Sequence, residues 1–257
     1  MENTINDFNK FAEKRQYDLI KGMKPSHCFV EKPMMKSMLS DLNNKRILML
    51  GCGTGEEFKL LETFGASSKQ LIGIDISNKS IEIAKRTYPD IEFVVGDMNN
   101  LPFESESFDF VYSSLAIHYN VTPEKTYKEV YRVLKPNGLF LFSVGHPLRW
   151  SSEEKNIDNE TIRIIGCSKN DDGNKIYGKY NTFEKHTFSS FAWQNDNEVL
   201  SFYVGPPSMH FKLLRQANFE ILDFTESQCV EEAKTIDMNY YIKNSEIPQF
   251  MAFLAKK

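Results

Sequence analysis

The chain of 257 residues is short of several things, and each shortage closes off a class of function. Its 31 Lys and Arg do not outnumber its 35 Asp and Glu, and the net charge of −4 gives no cation excess for phosphate-driven binding of nucleic acid. Lys10, Lys14, Arg15, Lys21, Lys24, Lys32 and Lys36 enrich the N-terminal part locally, where they read as a solvated helix face. Cys28, Cys52, Cys167 and Cys229 lie far apart with no CxxC pair and no adjacent histidine, so neither a metal site nor a disulfide scaffold is expected. Reduced thiols in a cytoplasm are the expectation. No apolar stretch approaches the length of a membrane span, and Met1 to Asp18 carries Glu2, Asp7, Glu13 and Asp18 without the apolar run of a signal peptide. Internal repeats and low-complexity segments are absent too. What is left, 41% hydrophobic and 26% charged, is the composition of a globular protein long enough for one large α/β domain with an insertion, or two small ones.

Two glycine signatures are also missing. Gly51-Cys52-Gly53-Thr54-Gly55 is not G-x-G-x-x-G, and no G-K-[ST] follows it, so a pyrophosphate cradle is a poor match. The apolar run before it, Ile47 to Leu50, suits a buried strand or part of a helix, and the glycines that end it favour a buried parallel strand. Gly51, Gly53 and Gly55 allow positive φ and remove Cβ atoms where a ligand could approach the backbone, and Glu56 to Leu61 reads as a helix start. A plain tight turn would use the same glycines. Asp75 adds weight to a ligand: it ends the next apolar run, Leu71 to Ile74, twenty residues past Gly55, where a dinucleotide-type fold sets a carboxylate on ribose hydroxyls.

Farther along, Ser77 or Asn78 can cap a helix, Ile91 to Val95 reads as a third strand, and Asp97 follows it at a carboxyl end. Phe108 to Ser114 is a fourth strand. Thr122 and Pro123 open a helix that runs to Leu134, Lys135 to Gly138 is a turn, and Leu139 to Val144 is a fifth strand. About sixty residues, Gly145 to Gly205, then precede a helix from Ser208 to Ala217 and a strand from Phe219 to Phe224, and so long a loop needs structure of its own. It holds Trp150, Trp193, Tyr177, Tyr180, Phe183, Phe188, Phe191, Phe202 and Tyr203, and Thr187 to Trp193 with Val199 to Val204 reads as a hairpin. Gln249 to Leu254 supplies a last strand. Asn6 to Leu42, at the start, reads as a helical lead-in with Phe8, Phe11, Tyr17, Leu19, Ile20, Met34, Met35, Met38 and Leu39 as candidate buried positions.

LMLGCGTGEE followed by IGIDIS resembles motifs I and II of the class I S-adenosylmethionine-dependent methyltransferases. GDMNNLPF is similar to that family's G-D-x-x-x-L-P-F, and RVLKPNGLFLFSV to its helix-turn-strand unit. The resemblance covers 46–144 closely and 206–257 in outline, and SSLAIHY and FSVGHP look most like bacterial small-molecule methyltransferases of uncharacterised substrate. It implies an α/β, Rossmann-like fold: a seven-stranded, mostly parallel sheet with helices on both faces, the last strand antiparallel at the sheet edge, and a small cap inserted after strand five. The implied organisation is a helical lead-in over the cofactor site at 1–45, a cofactor-binding core at 46–144, an aromatic-rich cap at 145–205 and the C-terminal part of the sheet at 206–257. The implied cofactor is S-adenosylmethionine, leaving as S-adenosylhomocysteine. The residues implied to hold it are Gly51, Cys52, Gly53, Asp75, Ile76, Asp97, Met98 and Ser113, with the glycine loop under the methionine part, Asp75 on the ribose and Asp97 on the adenine amino group. Tyr17 is a candidate for the methionine carboxylate, with core packing as its other reading.

A sulfonium methyl is already activated, so alignment of the acceptor supplies much of the catalysis. An alcohol, thiol or protonated amine acceptor also needs a base. His118, just past the fourth strand, and His146, just past the fifth, are the candidate catalytic residues, each alternatively a packing or hydrogen-bonding residue of its loop. His186 and His210 lie in or beside the cap; His27 has no context. The aromatic cap suits an enclosed small-molecule acceptor, and equally a core of its own. Ser113-Ser114-Leu115-Ala116 stands where DNA amino-methylases carry Asp/Asn-Pro-Pro-Tyr, which argues with the charge against nucleic acid. The expectation is a small-molecule methyltransferase, with no membrane partner, as a monomer or homodimer. Its rivals are a non-catalytic S-adenosylmethionine-binding protein, an RNA or protein methyltransferase, and, disfavoured by glycine spacing, a nicotinamide oxidoreductase.

Overall fold

The computed structural model describes residues 5–6, 8–10, 12–13, 16–17, 24–150, 153–157, 160–164, 167–169, 175–177, 180, 183–188 and 200–257. Five strands come first: β1 (Ile47–Leu50), β2 (Leu71–Asp75), β3 (Glu92–Val95), β4 (Phe108–Ser113) and β5 (Leu134–Gly145). The insertion carries β6 (Glu153–Ile157), β7 (Glu160–Ile164), β8 (Cys167–Lys169), β9 (Lys175–Tyr177), β10 (Glu184–Phe188) and β11 (Leu200–Val204), which pair as three antiparallel ladders. The expected hairpin is β10 with β11; Phe191, Trp193 and the turn between them lie outside the described residues. β12 (Glu220–Glu226) and β13 (Phe250–Lys256) complete a seven-stranded sheet in the order β12-β13-β5-β4-β1-β2-β3.

Only β13 runs against its neighbours in that sheet. It lies one place inside the edge, where the resemblance had put it at the edge, and side-chain chemistry explains the position. Phe250, Met251, Ala252 and Phe253 are buried, as a strand covered on both faces requires, whereas β12 exposes Glu220, Asp223 and Glu226, charges that suit an edge.

The sheet is buried on both sides, and alternate residues of each strand go to different layers. Ile47 and Met49 of β1 join Phe110 and Tyr112 in a cluster with Met34 and Met35 of α1 (Lys32–Met38), Leu60 and Leu61 of α2 (Phe58–Glu62) and Ile81 and Ala84 of α3 (Asn78–Thr87). Leu48 and Leu50 join Val111, Phe140 and Phe142 on the other face, against Tyr127, Val130 and Val133 of α4 (Pro123–Val133) and Leu214 of a helix at Pro207–Gln216. Each fully buried aliphatic side chain contributes about 1.5–3 kcal/mol of transfer free energy, so the strand cores hold the strand ends in place.

Two local features differ from the sequence expectation. Lys135–Gly138 was expected as a turn before the fifth strand; it is an irregular part of β5, with Asn137 at φ 65, where β5 advances from Leu134 to Leu139 while β4 advances only from Phe108 to Phe110. The link from β12 to β13 holds a 3-10 turn, Glu231–Thr235, and a helix, Met238–Glu246. That link packs on the N-terminal part: Val230 N–H donates to Phe29 O at 2.9 Å and the Tyr240 hydroxyl to Ser26 Oγ at 3.0 Å. Beneath it His27–Glu31 forms a turn of π-helix, a rare form met mostly as single turns and frequently at functional sites. Among the described residues no helix is long and apolar enough to cross a membrane, and no group of three His, Cys, Asp or Glu is placed to hold a metal.

Candidate active site

At the carboxyl end of β1 the chain reverses through Gly51 (φ 68), Gly53 (φ 54) and Gly55 (φ 88). The N–H groups of Gly51 and Cys52 both donate to Ile74 O, at 2.8 and 3.0 Å, which folds the loop over the end of β2. A Cβ at Gly51 would lie 2.3 Å from Ala116 Cβ, so only glycine lets the loop approach the segment after β4. Asp75 ties the loop from the next strand: Oδ2 accepts from Gly53 N at 2.8 Å and Oδ1 from Ser77 N at 2.9 Å. Ser77 caps α3 by accepting from Ser80 N, as the sequence suggests, and donates to Asn9 Oδ1 at 2.8 Å, which pins part of the N-terminal lead-in here.

Asp97 follows β3 and closes an Asx turn, Oδ1 accepting from Asn99 N at 2.9 Å. Asn99 and Asn120 exchange side-chain amide bonds at 3.1 and 2.8 Å, and Thr126 of α4 donates to Asn99. Thr122 precedes α4 and Pro123 opens it, but the Thr122 hydroxyl donates to Asn120 Oδ1 instead of capping the helix. Leu115, just past β4, has φ 47, an uncommon setting for a residue with a side chain, and its N–H donates to the buried Ser143 hydroxyl at 3.0 Å.

These segments enclose one cavity. Of the residues that the sequence singles out for the cofactor, Gly51, Gly53, Asp75, Ile76, Asp97 and Met98 line it. Phe8, Asn99, Leu115, Ala116, Tyr119, Asn120 and Tyr203 line it too. Among the described residues of that lining the two aspartates are the only charged ones. Phe8 sits edge-on to Tyr119 with ring centroids 4.8 Å apart, so the lead-in, the segment after β4 and cap strand β11 meet at the cavity. Phe8 was legible only as a candidate buried position, and Asn99 and Asn120 only once their loops are folded.

Three of the singled-out residues lie elsewhere. Cys52 is buried, and burial, reinforced by the charges of Asp75 and Glu56, pushes its thiol well above the ordinary range. Ser113 is buried with its hydroxyl donating to Leu50 O at 2.9 Å, a link between β4 and β1. Tyr17 is 57% exposed and is not in the cavity lining.

The histidines divide clearly. His118 sits in a 3-10 turn beside the cavity, its ring 4.4 Å from that of Tyr119 and 5.9 Å from that of Phe202 in β11. His146 is fully buried: Nε2 is 2.8 Å from Glu226 Oε1 and Nδ1 accepts from Leu148 N at 3.2 Å, an arrangement that uses both nitrogens. Burial pulls His146 below the ordinary histidine range despite Glu226. His210 belongs to the core, 2.6 Å from the Tyr127 hydroxyl, and burial takes it down to about 3. The His186 side chain lies outside the described residues.

His27, without context in the sequence, stands in a buried polar cluster. Its Nε2 is 2.9 Å from Glu57 Oε1 and its Nδ1 3.1 Å from Glu31 Oε2. Burial would lower His27, but the charge of Glu57 and the bonds to Glu31 and Glu57 bring it up to about 10. Burial would likewise raise Glu57, but the charge and hydrogen bond of His27, with Lys32 and the Tyr112 hydroxyl, hold it down at about 2. Histidine is therefore charged and glutamate ionised at neutral pH.

A family described as Methyltransferase domain matches residues 48–142. The phthiotriol/phenolphthiotriol dimycocerosates methyltransferase 1 of Mycobacterium ulcerans is 32% identical over 190 residues, 67% of this chain and 68% of that protein. The chain belongs to the class I S-adenosylmethionine-dependent methyltransferase superfamily. The bifunctional biotin biosynthesis protein BioHC of Cellvibrio japonicus is 33% identical over 132 residues, 51% of this chain and 25% of that protein. Across these relatives and an uncharacterised Haemophilus influenzae protein the chain spans between 25% and 68% of the relative's length. A crystal structure of a candidate S-adenosylmethionine-dependent methyltransferase from Listeria monocytogenes superposes with a TM-score of 0.67 at 26% identity, covering 88% of this chain and 96% of that one.

The cavity fits the cofactor of this superfamily. Its lining is apolar at Ile76, Met98, Leu115 and Ala116, as an adenine ring requires, and has a carboxylate at each of two strand ends. A carboxylate has about four acceptor sites, so Asp75 can hold the loop and accept from ribose hydroxyls together.

Proposed function

We propose that the chain is a methyltransferase that moves the sulfonium methyl of S-adenosylmethionine to a small-molecule acceptor. The observation that carries this reading is a single cavity in which Gly51, Asp75 and Asp97 meet Phe8, Tyr119 and Tyr203, aromatic residues from three separate segments. When bound, the cofactor supplies an electrophilic methyl group. Gly51 and Gly53 let the backbone approach it, Asp75 orients the ribose, Asp97 and Met98 take the adenine, and the aromatic rings exclude water and align the acceptor. Cys52 and Ser113 then act on the cofactor through the loop and the β1–β4 link, and Tyr17, exposed and outside the cavity lining, takes no part.

For an acceptor that loses a proton, the geometry supports His118 better than His146. His118 adjoins Tyr119 at the cavity, whereas both nitrogens of His146 are engaged with Glu226 and Leu148. Among the described residues the lining offers no cation for a nucleic-acid backbone. Relatives named for methylating demethylmenaquinone, malonyl-[acyl-carrier protein] and phthiotriol dimycocerosates support a metabolite or lipid-like acceptor without singling one out.

The test is transfer of labelled methyl from S-adenosylmethionine across a metabolite panel, with release of S-adenosylhomocysteine followed. Turnover of one small acceptor is expected. Tight S-adenosylhomocysteine binding with no turnover would favour a non-catalytic binder, and label in RNA or protein of a cell extract would favour a macromolecular acceptor.

A further inference from the structure

The segment that follows β4 is a partition between two cavities. Leu115 and Ala116 line the first cavity, the one that Asp75 and Asp97 share, whereas Ser114 lines a second, smaller one that meets it at Gly51. The partition has an uncommon backbone, because Leu115 sits at φ 47, in the left-handed region. A residue with a side chain is disfavoured there by a factor of roughly 5–30 in population. A leucine does not keep that setting unaided.

Two hydroxyls bracket Leu115, and both end on one buried side chain. The Ser143 hydroxyl accepts from Leu115 N at 3.0 Å and donates to Glu31 Oε1 at 2.6 Å. The Ser114 hydroxyl donates to the same oxygen at 2.9 Å. Ser143 and Glu31 are fully buried, and Oε2 of Glu31 faces the charged His27 at 3.1 Å, so Glu31 is held through both of its oxygens. A hydroxyl has one proton, and Glu31 takes that of Ser143, which leaves Ser143 an acceptor for Leu115. A hydrogen bond of this kind is worth a factor of about 2–13. That is the same order as the left-handed penalty, and enough to decide the backbone of one residue.

We propose that Ser143 is a positioning residue of the methyltransferase site: anchored on Glu31, it holds Leu115 in the left-handed conformation that sets Leu115 and Ala116 as an apolar wall for the adenosine part of the cofactor. This assignment rests on the methyltransferase reading. Ser143 belongs to β5, lines neither cavity and acts through Leu115. A change in the sign of φ at Leu115 redirects the chain on one side of it. Leu115 and Ala116 then cannot both keep their places, and Ala116 is already packed where a Cβ at Gly51 would lie 2.3 Å away.

The test is a mutant cycle on the full chain, read by titration calorimetry with S-adenosylhomocysteine and with 5′-methylthioadenosine, which lacks the amino-acid end, and by melting temperature without ligand. Ser143→Ala is expected to weaken both probes in parallel by about fivefold or more, as the binding-competent backbone loses population. Glycine takes the left-handed conformation without penalty and alanine does not. The same Ser143→Ala change is therefore expected to weaken binding by less than about twofold in a Leu115→Gly background, and by about fivefold or more in a Leu115→Ala background. The drop in melting temperature should follow the same order. Equal effects in the two backgrounds overturn the proposal, since Ser143 would then act by packing alone, and so does a Ser143→Ala chain that binds both probes as the wild type does. A loss confined to S-adenosylhomocysteine overturns the assignment to the adenosine wall. A Ser143→Ala chain that folds only when Leu115→Gly is added supports the proposal, and one that folds in neither background overturns it. A wild-type chain that binds neither probe overturns the methyltransferase reading itself, and the melting cycle then still decides whether Ser143 sets Leu115.

Discussion

Asp75 and Asp97 on one side of Gly51, and His27, Glu31 and Glu57 on the other, are two groups of charged residues assembled in opposite ways. Each aspartate ends or follows a strand of the parallel sheet, lines the first cavity and answers a backbone N–H two residues on, and Asp75 also answers Gly53 N from the neighbouring loop. The other group gathers a π-turn before the sheet begins, the start of α2, the end of β4 and the last residues of β5. Its members compensate one another inside the protein. The aspartates are thus held at a cavity wall by backbone N–H groups, whereas the buried cluster balances its charge among its own side chains.

Removing the charge balance gives the largest expected effect. In His27→Gln two buried carboxylates lose their imidazolium, a change that costs on the order of 3–5 kcal/mol, or roughly 6–20 °C in melting temperature for a chain of this size. The pH dependence has a definite sign. His27 is raised from 6.5 to about 10, so its contribution is fully present below pH 6.5 and is lost as pH climbs toward 10. Glu57 is lowered from 4.5 to about 2, so its contribution is fully present above pH 4.5 and is lost as pH falls toward 2. The gap in melting temperature between wild type and variant should be greatest between pH 4.5 and 6.5 and should narrow on both sides. A gap that does not change from pH 3 to pH 9 would mean that the cluster is held by packing rather than charge.

The same contrast explains what the sequence reveals. β1, β2 and β4 are short apolar runs, and the glycines and aspartates at their ends report a turn within a few residues; the sheet, and most of the residues that line the cavity at its carboxyl end, were legible for that reason. His27, Glu31 and Glu57 are separated by up to thirty residues, and nothing near His27 distinguishes it from a surface histidine. Their meeting depends on how the link from β12 to β13 presses the N-terminal turn onto the sheet through Val230 and Tyr240, and that link, with its helix, carried no motif. His146 shows the reverse: its place after β5 suggests chemistry, but Glu226, eighty residues on, engages it.

Asp75→Ala is expected to act on the ligand more than on the fold. The loss of charge-assisted bonds to the ribose should weaken S-adenosylhomocysteine by about 1–3 kcal/mol in calorimetry. Gly53 N and Ser77 N lose their acceptor as well: Gly53 lines the cavity, where water can replace the carboxylate, whereas the buried Ser77 N–H is left without it, at a cost on the order of 1 kcal/mol in stability. Unchanged affinity would remove Asp75 from ribose recognition and would leave it, like Glu57, a residue that organises the protein alone.

Tyr17 offers the finest comparison. The sequence resemblance sends its hydroxyl to the methionine carboxylate, whereas the fold leaves it 57% exposed and gives the residues around Gly51 to His27, Glu57 and Ser114. Removal of a hydroxyl from a largely exposed side chain changes free energies by no more than about 0.5 kcal/mol. Tyr17→Phe should therefore shift S-adenosylhomocysteine affinity by less than about 2.5-fold, with methylthioadenosine affinity unmoved. A tenfold loss confined to S-adenosylhomocysteine would instead show that the lead-in closes on the amino-acid end when the cofactor binds.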